Sequence, residues 1–556
     1  MALFDGHQVV YTVAGLLLAL VLISAFRTPV IRRNGVPLRK PPNTLPLAGN
    51  GILFLQARQK LFAWFVKCQR HFGYETFQVA VPTLPPGVVI NDPRNLEFVF
   101  KNEGSLISKG SFVKGMLWDL FGHGIVNADG EVWRTQRKAG LSFLNTANIR
   151  ILTDIALPQY LDDTLAQLRQ KAASGNNVAA VDLQAVFHEL TSCIMGRMAY
   201  NMEMHADDEF TVAFDYASGA ITERFQNPLW FITEVVAGAA DLSKSLATVK
   251  AFGRRIVSTA VADRDAQHSS KGSVSSRQTS LATSQSTSAA EKKINEVSGS
   301  LIQSLLDAIS DQDVVADAAL NYLSAGRDTV AQGLTWTFYM LMKNPQIVDK
   351  IRQEVHRVLF AGAGTSAATG HSLDFARLTP VALPYTMAVF YEGLRLFPPI
   401  PFEIKQVEAD HLTLPDGTEL SRGALVIWCS WALNRSRETW GEDADVFRPE
   451  RWLTVAPLSN GSAAAAAAAT SSSPPFRLVS RSASEFPVFH GGPRTCLGRK
   501  MAESMAVQTM AAVVWFFDLQ LAEPEAERVT KTSLTLPMEG GLPCFIKARP
   551  DPALAV

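Results

Sequence analysis

One loop near the C-terminal end constrains this chain more than any other segment: Phe489-His490-Gly491-Gly492-Pro493-Arg494-Thr495-Cys496-Leu497-Gly498. A metal-binding thiolate must be deprotonated and shielded, and its lone pairs need backbone N–H groups to accept from. Gly492 and Gly498 lack a Cβ, so the backbone can approach a flat cofactor closely. A helix expected to begin near Arg499 points its positive end at the sulfur and favours the anion. Arg494 offers a fixed positive charge for a cofactor carboxylate, and Phe489 can wall the sulfur off from water. For a cysteine alone, simple burial is the ordinary reading. The whole spaced set asks for a ligand.

Other segments bear on the same question. Glu392-Gly393-Leu394-Arg395 sets a carboxylate and a guanidinium three residues apart on one helix face. Such pairs usually sit on the surface, but this one precedes Pro398-Pro399 within an apolar helix, where an unpaired charge is costly. Phe447-Arg448-Pro449-Glu450-Arg451-Trp452 adds a second guanidinium. Asp313 to Lys343 reads as one long helix, stopped by Asn344-Pro345. It holds Ala325-Gly326-Arg327-Asp328-Thr329, and Gly326 needs a compensating reason, since Gly costs about 1 kcal/mol in a helix interior. Trp133 and Arg137, four apart, share a face of a further helix. Strand-like pieces appear at Val88 to Ile90, Leu412 to Leu414 and Leu534 to Leu536.

The cysteine loop resembles the haem-binding loop of the cytochrome P-450 superfamily, F-x-x-G-x-R-x-C-x-G, at every fixed position. The other three motifs follow the superfamily's order, and the likeness runs from about residue 40 onward. It implies a mainly α fold with small β-sheets. It implies haem b held non-covalently apart from the Cys496 thiolate–iron bond, and a thiolate that favours O–O cleavage. Phe489, Gly492, Arg494 and Gly498 would frame that bond. Trp133 and Arg137 would reach a haem propionate. Ala325 and Gly326 would open a groove for dioxygen, with Asp328 and Thr329 supplying protons. Glu392, Arg395 and Arg451 would form a buried structural triad. Relatives often carry an Arg or His after the Pro-Pro turn. Here the nearest basic residue is Lys405, whose role stays open.

The 52 Lys and Arg balance 52 Asp and Glu, which gives no support to nucleic-acid binding. The five cysteines contain no C-x-x-C pair, so neither a zinc site nor a disulfide framework is indicated. Val9 to Phe26 carries no charged residue and is followed by Arg27, Arg32, Arg33, Arg39 and Lys40. Residues 1–28 thus read as a single-pass membrane anchor with the rest of the chain cytosolic. Residues 29–48 form a proline-rich connector, and 49–556 one catalytic domain. The endoplasmic reticulum is the expected membrane, and a plastid stays open. Low-complexity stretches at about 267–300 and 459–475, with a shorter one at Ala361 to Ser372, read as surface inserts.

The resemblance also implies a reaction: one oxygen atom of dioxygen enters a substrate. No G-x-G-x-x-G and no room for a reductase domain are present, so an NADPH-dependent reductase is the implied partner. Arg499 and Lys500 are candidates for its docking. Gly124 to Gly130, Ala325 to Thr329, Leu414 to Thr418, Glu485 to Phe489 and Ser533 to Leu536 are similar to the plant clan of fatty-acid ω-hydroxylases. That implies a lipid substrate, with Phe112, Trp118, Phe121, Phe402 and Met538 as candidate pocket residues. Some ω-hydroxylases link haem covalently through a Glu that is Ala325 here. Hydroxylation of a sterol, carotenoid or other terpenoid is the alternative within this fold. Hydroperoxide rearrangement and a non-catalytic haem sensor are the others.

Overall fold

The helix Gln312–Lys343 organises the fold. Asp311 caps it by accepting from the Asp313 and Val314 amides at 2.9 and 3.4 Å, and it ends at Asn344, before Pro345. At 1.5 Å per residue it spans about 48 Å. It is buried on nearly all sides from Val315 to Leu341, polar residues such as Asn321, Arg327, Asp328 and Gln332 included. Helices Leu183–Tyr200, Ala239–Gly272, Pro384–Leu396 and Arg499–Phe516 pack on it. Glycine permits one of these approaches: a Cβ on Gly393 would lie 2.1 Å from Thr337 Oγ1.

This computed structural model describes residues 30–549 apart from 47, 83, 174–179, 273–288, 361–372 and 456–475, with a few positions between 11 and 22. The fold is mainly helical with small sheets, as expected. The largest sheet has five strands in the order Phe77–Val79, Gly87–Val89, Leu425–Cys429, Phe402–Val407, Ile107–Ser108. Only the Gly87–Val89 and Leu425–Cys429 pair is parallel. The sheet brings Lys405 and Glu403 beside the Ile107–Ser108 segment, which has consequences below. The expected anchor lies almost wholly outside the described residues. Among those described, no helix is long and apolar enough to cross a membrane. The 459–475 and Ala361 to Ser372 inserts also lie outside them.

Two expectations change. The stretch 267–300 is not irregular throughout: its last third forms helix Ala289–Val297. Ile294 and Val297, three apart, bury one face of it. Leu534 to Leu536 is not a strand. Its backbone groups are held by side chains instead of a ladder: Ser218 Oγ accepts from the Leu534 amide at 3.2 Å, and Gln332 Oε1 from that of Leu536 at 2.7 Å. Trp336 Nε1 donates to the Leu536 carbonyl at 2.8 Å. Backbone polar groups need partners, and these suffice without a neighbouring strand.

Candidate functional site

Cys496 sits just before helix Arg499–Phe516. Its amide donates to the Phe489 carbonyl at 2.8 Å, which closes the loop. Two residues in the loop have left-handed backbone: His490 at φ 57° and Gly492 at φ 60°. Gly492 has a second constraint, since a Cβ there would lie 2.2 Å from the Phe100 carbonyl oxygen. Its lack of a side chain therefore serves the packing of Phe100. Gly498 differs: a Cβ there meets nothing within 4 Å. Burial raises the Cys496 thiol above its usual range, and the Gly498 amide, Arg137 and Arg499 pull the other way.

Cys496 and Ala325 are each exposed, near buried Phe489 and Ser324 respectively. Ala325 is exposed midway along the otherwise buried central helix. Helix Gly130–Phe143 links the two regions. Arg137 Nη1 donates to the Thr495 carbonyl at 3.0 Å, and Tyr322 of the central helix donates to the Gln136 carbonyl at 2.8 Å. The guanidiniums of Arg494 and Arg137 lie over the Trp133 ring, 4.4 and 5.4 Å from its centroid. Arg494 also donates to the Ala128 carbonyl at 2.9 Å and pairs with Asp129.

Sequence reasoning missed the charge cluster around Arg494. Lys405 is 2% exposed and pairs with Glu103 at 2.8 Å and with Glu403 at 3.7 Å. Lys114 pairs with Asp129 at 2.8 Å. Lys109 is 8% exposed and lines the cavity described below. Among the described residues its ammonium has no ion-pair partner. Burial, then the charge on Lys405, brings it down to about 8. Burial also brings His490 down to about 4, so its 3.5 Å approach to Glu103 is not an ion pair at neutral pH. Among the described residues, Lys109, Lys114, Lys405 and Arg494 meet the carboxylates of Glu103, Asp129 and Glu403, and Arg137 stands beside Arg494. Two positive charges are left over. A cofactor with two carboxylates on one edge fits that surplus, and an open thiol in the interior fits its metal.

A cavity of about 380 Å³ lies against the central helix at Ser324, Ala325, Asp328 and Thr329. Phe112, Phe121 and Phe402 are among the residues that line it. Trp118 does not: it is 48% exposed, edge-on to His123. Met538 is buried in the core away from it. Gly326 is not part of the groove either. A Cβ there would lie 2.6 Å from Met195 Sδ, so close helix packing is what compensates this glycine.

Asp328 is 5% exposed, and its Oδ1 accepts from Arg327 Nε at 2.6 Å. Its Oδ2 has no hydrogen bond among the described residues. Arg327 also reaches Thr211 Oγ1 at 2.8 Å and Asp215 Oδ1 at 3.2 Å. The Asp215 side chain is 52% exposed and lines a surface hollow. Burial of its inner side and the Asp328 charge raise the Asp215 carboxyl to about 6. The half-buried His188 ring stands 3.9 Å from Asp328 and is brought down to about 4 by desolvation. Thr329 Oγ1 donates to the Ala325 carbonyl at 2.7 Å, so the hydroxyl offers lone pairs to its surroundings.

Glu392 is fully buried and accepts five hydrogen bonds. Arg395 Nε and Nη2 donate at 2.8 Å each. Arg451 Nε, the Arg448 amide and Trp452 Nε1 donate at 2.9 Å each. The three expected partners thus meet, and Trp452 joins them.

The comparisons agree with this geometry. The family model described as Cytochrome P-450 matches residues 39–545. The chain is 30% identical over 463 residues to cytochrome P-450 86B1 of Arabidopsis thaliana, covering 81% of this chain and 75% of that protein. It is 25% identical over 523 residues to cytochrome P-450 94A1 of Vicia sativa, covering 91% and 90%. A fungal relative, cytochrome P-450 monooxygenase cyp1 of Mycosarcoma maydis, is 27% identical over 506 residues, covering 88% of this chain and 70% of that protein. With its cysteine loop, buried Glu-Arg-Arg triad and central helix in one matching span, the chain belongs to the cytochrome P-450 family of monooxygenases, whose cofactor is a cysteine-ligated haem b.

Proposed function

We propose that this monooxygenase hydroxylates the chain of a long-chain fatty acid, at or near its terminal carbon. The observation that carries this reading is the cavity of about 380 Å³, walled by apolar and aromatic side chains and bounded on one side by Ala325, Asp328 and Thr329. Sites of this size suit one small organic ligand. Terminal attack needs a confining wall, because a methyl C–H is stronger than its methylene neighbours. The likeness of scaffold segments to plant fatty-acid ω-hydroxylases supports the same choice.

Bound haem supplies dioxygen activation and oxygen-atom transfer. Cys496 is its proposed iron ligand, and the Gly498 amide, Arg137, Arg499 and the helix start favour its anion against the cost of burial. Arg137, Arg494, Lys405 and Lys109 hold its carboxylates, and Trp133 fixes the two guanidiniums. Ala325 leaves room at the cavity wall and carries no carboxylate for a covalent link. Asp328 Oδ2 offers the cavity a carboxylate oxygen through which protons can pass, while Arg327 steadies Oδ1 and ties it to Asp215 at the surface. Thr329 accepts a hydrogen bond from a proton-bearing group beside it. Glu392, Arg395 and Arg451 keep the scaffold around the loop.

Residues 1–28 serve as a membrane anchor, with the endoplasmic reticulum as the expected site. Electrons come from an NADPH-dependent reductase that docks near Lys500. Arg499 is a weaker contributor there, since Glu503 and the Tyr391 hydroxyl engage it at 2.7 and 2.8 Å. The test is reconstituted protein with reductase, NADPH and a panel of twelve- to eighteen-carbon acids beside sterols and terpenoids. The expected result is a haem spectral shift and a hydroxylated acid. A panel in which no acid shifts the spectrum, while a sterol or terpenoid does, overturns the fatty-acid reading.

A further inference from the structure

Arg58 opens helix Arg58–Phe72 and is 5% exposed. It lines the same cavity as Ala325 and Thr329. A buried cation is costly unless an anion or several dipoles answer it. Here the answer is partial. Nη1 alone donates to three backbone carbonyls, those of Lys531, Ser533 and Thr535, at 3.2, 2.5 and 3.1 Å. Among the described residues no carboxylate comes within ion-pair distance. Glu223 is the acidic side chain whose charge it feels, and that residue is exposed. The Nε and Nη2 groups make no hydrogen bond among the described residues, although the side chain lies over the Phe62 ring at 5.2 Å. Burial lowers the guanidinium only to about 10, so it stays cationic at neutral pH.

The wall beside it is also polar. Ser218, Thr222, Gln226, Ser533 and Thr535 line it there, and the Ser218 and Ser533 hydroxyls share a 2.8 Å bond. Arg58 thus combines burial, an open edge of two parallel N–H donors, and a hydrophobic space in front of it. That edge matches a carboxylate bidentately.

We propose that Arg58 binds the carboxylate of the substrate, so that the enzyme takes free anionic amphiphiles in preference to their esters or alcohols. This rests on the fatty-acid reading above and narrows it. Lys109 is the other cation on the wall, but it shares its surroundings with Glu103, Glu403 and Lys405 on the Arg494 side. It belongs with the cofactor carboxylates.

The test uses the haem-loaded full chain and the spectral shift on titration with dodecanoic acid, methyl dodecanoate and dodecanol. The wild type should bind the acid about tenfold or more tightly than the ester. Arg58→Gln keeps a donor for the carbonyls and loses the charge, so the acid-over-ester ratio should fall to about one. Arg58→Lys should restore part of it. The carbon monoxide difference spectrum confirms that each variant holds haem. A wild type that binds ester as well as acid overturns the proposal, without any variant. So does an acid preference that survives Arg58→Gln and disappears in Lys109→Gln. If the acid is hydroxylated and Arg58→Gln keeps the ratio, only the Arg58 assignment falls. If the wild type binds none of the three, the fatty-acid reading falls with it.

Discussion

Replacing Glu392 by Gln tests how the scaffold around the cysteine loop is held. The carboxylate faces two guanidiniums, those of Arg395 and Arg451, which are fully buried and nearly so. Gln keeps the shape and one acceptor oxygen but removes the charge. Its amide nitrogen then turns a donor toward Arg395, Arg451 or Trp452, all of which are donors themselves. Breaking a buried ion pair from one side costs about 3–5 kcal/mol. With two cations left unanswered, the upper part of that range applies. Total stabilities are about 5–15 kcal/mol, so the variant should be marginal. Swapping the triad for apolar residues, often neutral elsewhere, should not rescue it. Arg395 also donates to the carbonyls of Asn434, Ala444 and Val446, and Arg451 to those of Trp440 and Asp443. Those carbonyls would be orphaned. The assay is urea unfolding of haem-loaded protein, followed by haem absorbance, with the carbon monoxide difference spectrum as a check on the ligand. A midpoint within about 1 kcal/mol of wild type would refute the reasoning.

Two further predictions concern the groups beside the cavity. Asp328→Asn removes the carboxylate that the central helix contributes to the cavity, so product per NADPH consumed should fall about tenfold or more. The spectral shift on substrate binding should remain, and an unchanged product yield would remove Asp328 from proton delivery. His188 is held at about 4, below its ordinary 6.5. The folded state therefore binds this proton less than the unfolded one. The stability it contributes is present above pH 6.5 and is lost as pH falls toward 4. The loss between pH 7 and pH 5 should be about 2 kcal/mol, and His188→Gln should lack it. The raised Asp215 carboxyl acts oppositely, adding stability as pH falls through about 6 toward its ordinary value. The difference between wild type and variant at each pH is therefore the quantity to measure. An equal difference at pH 5 and pH 7 would show that His188 is not the acid-sensitive group.

What could be read before the structure follows a physical pattern. Cys496, Arg494 and Gly498 act within one tight loop, and Glu392 with Arg395 act across one helical turn. Their spacing along the chain is their geometry in space. The long helix was legible to within a residue because Asn344-Pro345 stops it and no proline interrupts it. Gly326 was read as a groove former, yet only the position of Met195 on another helix reveals its role. Leu534 to Leu536 looked like a strand because its apolar alternation is real. Which groups satisfy its backbone depends on Ser218, Gln332 and Trp336, and no local pattern in the sequence announces them.

The residues that went unnoticed are those whose meaning comes from a missing partner. Lys109 and Arg58 look like ordinary surface cations in a sequence, since such residues are rarely buried. The five-stranded sheet places Glu403 and Lys405 next to Ile107–Ser108, so Lys109, just beyond that strand, enters a charged interior. Arg58 becomes informative only once its nearest acceptors prove to be neutral carbonyls, one of them from the segment that was expected to be a strand and one from the residue just before it. A strand over this stretch would have turned such carbonyls to a ladder partner. Their availability to Nη1 is what lets a guanidinium stay buried while its other edge is open. The misread segment and the proposed carboxylate site are therefore one feature. An irregular stretch held by side chains has the unpaired carbonyls that a buried cation needs.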